Sequence, residues 1–189
     1  FIIVAGGGSI ARKYISALRD VGINEKMQCM IGISATRTNA RFMTYFFKKD
    51  QTKGIPEKMK TVENYIKNSD IVFCVALEYK PNQTSDSTAA QIAQHFKTVF
   101  VNLTNVSGLH DKNPLEHKNA KFIPKILWKD FKKMAHSKKY KPGQHFVLDQ
   151  TASEIIMRNK IITYILGKDM KQLDNLVHNR TYKGTVIAG

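Results

Sequence analysis

Phe1-Ile-Ile-Val-Ala-Gly-Gly-Gly-Ser-Ile-Ala-Arg-Lys-Tyr14 opens the chain with five apolar residues, three glycines and then a helical pattern. Ile10, Tyr14, Ala17/Leu18 and Val21 recur at helical spacing on one face, and Gly22 stands where such a helix would stop. The stretch predicts a buried strand, a glycine turn and a helix. Such a turn can take an anion: its backbone N–H groups point outward, the helix dipole favours negative charge, and missing Cβ atoms let a phosphate come close. The same residues also fit a plain strand-to-helix turn with no ligand, since a short glycine cluster is a weak motif.

Working outward, Met27–Phe47 reads as a second helix, with an apolar stripe at Ile31, Ala35, Thr38, Phe42 and Phe46. A charged segment follows, broken at Gly54-Ile-Pro56, with a short helix expected at Glu57–Lys67. Ile71-Val-Phe-Cys-Val-Ala-Leu77 is a continuous apolar run, the pattern of a strand buried on both faces of a parallel sheet. After the loop Glu78–Ser85, Asp86 is the expected N-cap of a helix carrying Ala89, Ala90, Ile92, Ala93 and Phe96. Val99–Leu103 and Ile161–Leu166 read as further internal strands, and Thr185–Ala188 as the last one. Helices are expected at Trp128–Met134, Ala152–Asn159 and Met170–Val177, and a basic loop at His136–Gly143. Strands and helices alternate throughout without internal repeats or a clear linker. The fold class is therefore α/β, a three-layer α/β/α sandwich around a mostly parallel sheet.

Composition narrows the function classes. With 189 residues and 42% hydrophobic content, the chain can bury the core of one α/β domain. No apolar run reaches the roughly 18 residues of a membrane span, so no membrane partner is expected. Cys29 and Cys74 show neither metal-ligand spacing nor a disulfide framework, which points to a reducing cytoplasm. The net charge of +15 admits anionic partners. Only six of the 30 basic residues are arginine, and the lysines are spread along the chain without interleaved aromatics. A solvated lysine surface, concentrated locally at a phosphate cleft, is the expectation rather than a nucleic-acid interface.

Read together, the loops resemble the amino acid kinase superfamily, and within it the archaeal-type uridylate (UMP) kinases. Gly6-Gly-Gly-Ser-Ile-Ala-Arg-Lys-Tyr-Ile15 is similar to that family's glycine turn, and Ile31-Gly-Ile-Ser-Ala-Thr-Arg-Thr-Asn-Ala40 to its Ile-Gly-Ile…Thr-Arg-x-Asn-Ala helix. Pro81-Asn-Gln-Thr-Ser-Asp86 resembles Pro-Gly-x-Thr-Thr-Asp, and Thr104-Asn-Val-Ser-Gly-Leu-His-Asp-Lys-Asn-Pro114 resembles Thr-Asn-Val-Asp-Gly-Val-Tyr-x-x-Asp-Pro. Leu148-Asp149 and the helix after it resemble Asp-Pro-Leu-Ala-Ala-Lys-Ile-Ile, and Tyr182-Lys-Gly-Thr-Val-Ile187 the closing Gly-Thr-x-Ile strand. Six motifs in order cover nearly the whole chain.

The resemblance implies transfer of the ATP γ-phosphate to UMP, giving UDP, with Mg²⁺ as companion ion. It assigns Gly7 and Gly8 to the phosphates through backbone N–H, and Arg12 to phosphate oxygens. Asn82, Gln83, Thr84 and Ser85 would hold the acceptor nucleotide, and Thr104, His110 and Asn113 the ATP side. Asp149 would orient the transferring group or its metal, and no side chain is assigned as a metal ligand. A homo-oligomer, a hexamer built from dimers, is implied as well. The Met27–Phe47 helix, rich in Phe42, Met43, Tyr45, Phe46 and Phe47, would contribute to the subunit interface.

The chain also departs from the family pattern. Cys29 stands where the family has an aspartate for the acceptor ribose, Leu77-Glu78-Tyr79 replaces Gly-Gly-Thr, and Asn82 replaces a glycine. Ser107, His110 and Asn113 replace Asp, Tyr and Asp on the donor side. The family's first strand, with its Lys-x-Gly-Gly-Ser loop, has no counterpart in these 189 residues. The expectation is one amino acid kinase-like domain over 1–189 without that strand, a natural chain extending before Phe1, and no catalysis by these residues alone. Three readings stand at this point: a divergent UMP kinase, a silent or re-purposed relative that keeps the assembly and an anion-binding cleft, and a kinase of another small phosphorylated or carboxylate substrate.

Overall fold

The opening strand pairs where the apolar pattern needs it to. In the computed structural model, which describes residues 1–49, 54–77, 84–137 and 147–189, β1 (Ile2–Val4) lies parallel to β2 (Val72–Cys74), with Ile3 opposite Phe73. Every residue from Val72 to Val75 is fully buried, so the run at Ile71–Leu77 is core as its sequence requires. The described residues fall into two compact units, 1–89 and 90–189, with the boundary inside α4 (Ser85–His95).

In the first unit, α1 (Gly8–Asp20) packs on α2 (Glu25–Phe46), and α3 (Met59–Ile66) lies beside β2. Ala11 and Ile15 of α1 are buried against Ala35 and Ile31 of α2. The buried face of α1 is therefore one residue round from the expected one: Ile10, Tyr14 and Val21 are exposed. The α2 stripe holds at Ile31 and Ala35 and is corrected at Thr38, Phe42 and Phe46. Its buried residues are Gln28, Ala35, Thr36, Ala40 and Thr44, while Phe42 and Phe46 are 62% and 68% exposed. The reason is steric. A Cβ on Gly32 would crowd Ile15 Cδ1 at 3.2 Å, and Ile15, Ala11, Ile31 and Ala35 occupy the contact in place of the phenylalanines. Thr36 and Thr44 satisfy their buried hydroxyls on the carbonyls of Ile33 and Arg41.

The second unit carries a four-stranded sheet in the order β3 (Phe100–Leu103), β7 (Thr163–Leu166), β8 (Gly184–Ile187), β6 (Lys125–Ile126). β3–β7 and β6–β8 are parallel and β7–β8 antiparallel. β7 is internal, as expected. β3 ends this order among the described residues, and β2, paired with β1, is fully buried. A short antiparallel pair, β4 (Leu109–His110) with β5 (Phe122–Ile123), gave no sequence signal because two-residue strands carry no period. α5 (Trp128–His136) packs on α6 (Gln150–Asn159), and Trp128 donates its indole N–H to the Ile161 carbonyl at 2.9 Å, tying α5 to the start of β7. α7 (Met170–Val177) precedes β8. Three of the five strand pairings are parallel, which makes this a mostly parallel α/β fold.

The corrected α2 stripe has a direct test. Ala40→Leu fills a position with no exposure and is expected to cost about 1–3 kcal/mol by overpacking. Thr38→Leu, at an exposed position, is expected to stay within about 0.5 kcal/mol of the parent. Urea melts of the two variants distinguish this face from the one read off the sequence.

Candidate functional site

Three neighbours build the glycine turn. Ala5 N–H donates to the Cys74 carbonyl at 2.9 Å, so the chain leaves β1 still paired to β2. Gly7 then lies against α2: a Cβ there would fall 2.3 Å from Ala11 Cβ, 3.5 Å from Thr36 Cγ2 and 3.6 Å from the Gly32 carbonyl oxygen. Gly8 has φ +60° with open space around it, so its backbone conformation alone calls for glycine. From α2, Asn39 donates Nδ2–H to the Gly6 carbonyl at 2.7 Å and fixes the orientation of that peptide. Asn39 had no assigned role in the sequence reading, although it sits inside the Thr-Arg-x-Asn-Ala stretch.

The first turn of α1 is left open. Its N-cap Gly7 supplies no side-chain hydrogen bond, and the turn contains no acidic residue. Its leading N–H groups therefore retain the partial positive charge that suits an anion. Arg12 follows one turn on, with its side chain exposed. α4 begins beside the same turn: the Gly6 Cβ position is 3.7 Å from Ser85 Oγ. Thr84 Oγ1 accepts from the Asp86 N–H at 3.1 Å, so the threonine, and not Asp86, caps this helix, and Asp86 lies in its first turn. Thus the first unit brings Gly6–Gly8 and Ser85 together. Asn82, Gln83 and the replacements Glu78 and Tyr79 lie outside the described residues, as does most of the expected basic loop at His136–Gly143.

The second unit holds the donor-side residues. Thr104 follows β3 directly, and its N–H donates to the Leu166 carbonyl at 2.9 Å. His110 Nδ1 lies 3.0 Å from the Gly108 carbonyl oxygen, and its ring stands edge-on to Phe122 with centroids 5.4 Å apart. Asn113 organises a local turn: Nδ2 donates to Glu116 Oε1 at 2.7 Å, and Oδ1 accepts from the Leu115 N–H at 3.1 Å. Asp149 is 3% exposed and caps α6, its Oδ1 accepting from the Ala152 N–H at 2.7 Å. Among the described residues no three metal-ligating side chains converge.

The glycine turn and the start of α4 follow the carboxyl ends of the parallel strands β1 and β2, where open α/β sheets as a class take ligands. The chain belongs to the amino acid kinase family, whose model matches residues 1–167. It is 33% identical to the uridylate kinase of Methanococcus aeolicus over 98% of this chain and 81% of that protein. The uridylate kinase of Sulfurisphaera tokodaii is 31% identical, with 98% and 82% covered. The crystal structure of uridylate kinase from Archaeoglobus fulgidus superposes with a TM-score of 0.79 at 31% identity, covering 99% of this chain and 84% of that one.

The two cysteines differ in environment. Burial pushes the Cys74 thiol up to about 12, whereas Cys29 on α2 is half-buried. A thiol ionising near 12 has almost no thiolate at pH 8. Iodoacetamide at that pH is expected to alkylate Cys29 and spare Cys74 until denaturant is added, as mass spectrometry of the digested protein would record.

Proposed function

We propose that this protein transfers the γ-phosphate of ATP to UMP, giving UDP. The observation that carries the reading is the open first turn of α1 at Gly6–Gly8 with the start of α4 beside it, in a chain about 30% identical to archaeal uridylate kinases over almost its full length. Phosphoryl transfer asks a protein chiefly to position two polyanions and neutralise their charge. Gly7 and Gly8 N–H groups hold phosphate oxygens, and Arg12 adds a mobile cation. Asn82, Gln83, Thr84 and Ser85 hold the UMP phosphate. On the ATP side, Thr104 and His110 border the nucleotide, while Asn113 shapes the turn that ends the loop. Asp149, fixed by its capping bond, orients the transferring group. Mg²⁺ suits this donor set as a companion of ATP, since it is held mainly by phosphates and water with one or two carboxylates; when bound, it screens the phosphate charge.

The silent alternative draws on Cys29, Leu77/Glu78, Ser107 and Asn113 together, and similarity to uridylate kinases along 98% of the chain favours the active reading. Among the described residues no helix is long and apolar enough to cross a membrane, and a cytoplasmic location belongs to the same proposal.

Catalysis separates the roles. In the intact protein, Arg12→Ala is expected to lower UDP formation by roughly 30- to 1000-fold, or about 2–4 kcal/mol of transition-state stabilisation. Asp149→Asn keeps an α6 cap but deletes the charge, so turnover should fall with UMP affinity nearly intact. Cys29→Asp should tighten UMP binding by about 1–2 kcal/mol through a restored hydroxyl acceptor. Calorimetric titration of UMP and ATP beside a UDP-formation assay checks all three. No UMP binding by the parent, and none gained in Cys29→Asp, would end this reading.

A homo-oligomer is part of the proposal. Phe42, Tyr45 and Phe46 are 62–71% exposed on α2, and the Phe42 and Phe46 rings stack at 5.9 Å on that surface. Such aromatic area is usually covered. Sedimentation is expected to show an assembly, with a hexamer as the family-like outcome, and Phe46→Glu to dissociate it. A parent sedimenting as a monomer at micromolar concentration would exclude the interface.

A further inference from the structure

We propose that the Thr185 hydroxyl is the positioning group of the ATP-side loop, residues 104–113, and that it sets the loop's height over the sheet. The inference rests on the reading of this loop as the ATP side. Thr185 lies on β8 with no exposed surface, and β8 is internal to the four-stranded sheet. Its Oγ1 accepts from the Leu109 N–H at 2.8 Å and donates to the Ile123 carbonyl at 2.5 Å. Leu109 and Ile123 face each other across the β4–β5 pair. One buried hydroxyl therefore ties both strands of that pair to the central strand beneath, and a hydroxyl can both donate and accept in this way.

The loop is also fitted to that hydroxyl. Gly108 has φ +146°, and a Cβ there would lie 2.7 Å from both Thr185 Oγ1 and Phe122 Cε2. The backbone thus reaches Thr185 only through a glycine. On the β7 side, a Cβ on Gly167 would press to 3.2 Å from Ser107 Cα and the Val106 carbonyl oxygen. The floor of the loop is closed at Gly167 and pinned at Thr185, while Thr104 N–H holds its start on the Leu166 carbonyl. His110 follows Leu109 directly and inherits its placement, with Nδ1 on the Gly108 carbonyl oxygen. Nothing in this network needs Thr185 to touch the nucleotide.

Thr185→Val keeps the shape and removes both hydrogen bonds, whereas Thr185→Ser keeps the hydroxyl. Calorimetry on the intact protein should show the ATP Kd rising about 10-fold or more in Thr185→Val, with the UMP Kd within about two-fold and Thr185→Ser close to the parent. Amide hydrogen exchange at residues 107–111 should accelerate in Thr185→Val alone. If Thr185→Val does not fold, Gly108→Ala breaks the same contact from the loop side and is judged by the same two readouts. Unchanged ATP affinity in a folded variant, or equal loss of ATP and UMP, would overturn the positioning role. A parent that binds UMP but not ATP would instead remove the ATP-side reading, and the proposal with it.

Discussion

The close approach of α1 to α2 is the constraint on which the first unit depends. A Cβ on Gly32 would crowd Ile15 Cδ1 at 3.2 Å, and Gly7 lies within contact range of Thr36 and the Gly32 carbonyl while its own Cβ position is closed by Ala11 Cβ at 2.3 Å. That contact decides where α1 begins and how its first turn points, because Gly7 is both the N-cap and a packing residue. Asn39, reaching from the same face of α2 to the Gly6 carbonyl, fixes the peptide before the turn. The turn is thus held by a helix packed against it. N–H groups preorganised in this way would meet an anion with little reorganisation.

The same constraint explains where sequence reading succeeds and where it slips. The run at Ile71–Leu77 was legible because a strand buried on both faces must be apolar throughout. The expected stripe holds at Ile31 and Ala35, and slips elsewhere because apolar periodicity weights large residues while this contact also uses Ala11, Gly32 and Thr36. Phe42 and Phe46, which dominate the pattern, point away from it. Their spacing describes a second apolar face on one helix, and a single period cannot separate two faces.

At the site, residue types are legible in the sequence but their partners are not. The glycine turn and Ser85 were recognisable, and Gly6 of that turn lies beside Ser85 Oγ. Asn113 was read as a nucleotide contact, and the structure places both ends of its side chain in a local turn. A residue type that suits a ligand equally suits a turn, because its donors and acceptors are the same. Asp149 shows the converse. Capping α6 uses one carboxylate oxygen and holds the group rigid in a buried position, and a rigid charge is what an electrostatic role requires. Structural and chemical duties are therefore compatible in Asp149.

The donor-side loop extends this logic. Its replacements, Ser107 and His110, flank Gly108 and Leu109, the two residues through which the loop meets Thr185. Side chains at 107 and 110 can change while the backbone between them stays in place, because that backbone is fixed from beneath by a hydroxyl and a glycine. Divergence at Ser107 and His110 is then compatible with an unchanged backbone between them. A difference in nucleotide preference would arise from what Ser107 and His110 present, and not from movement of the strand pair that carries them.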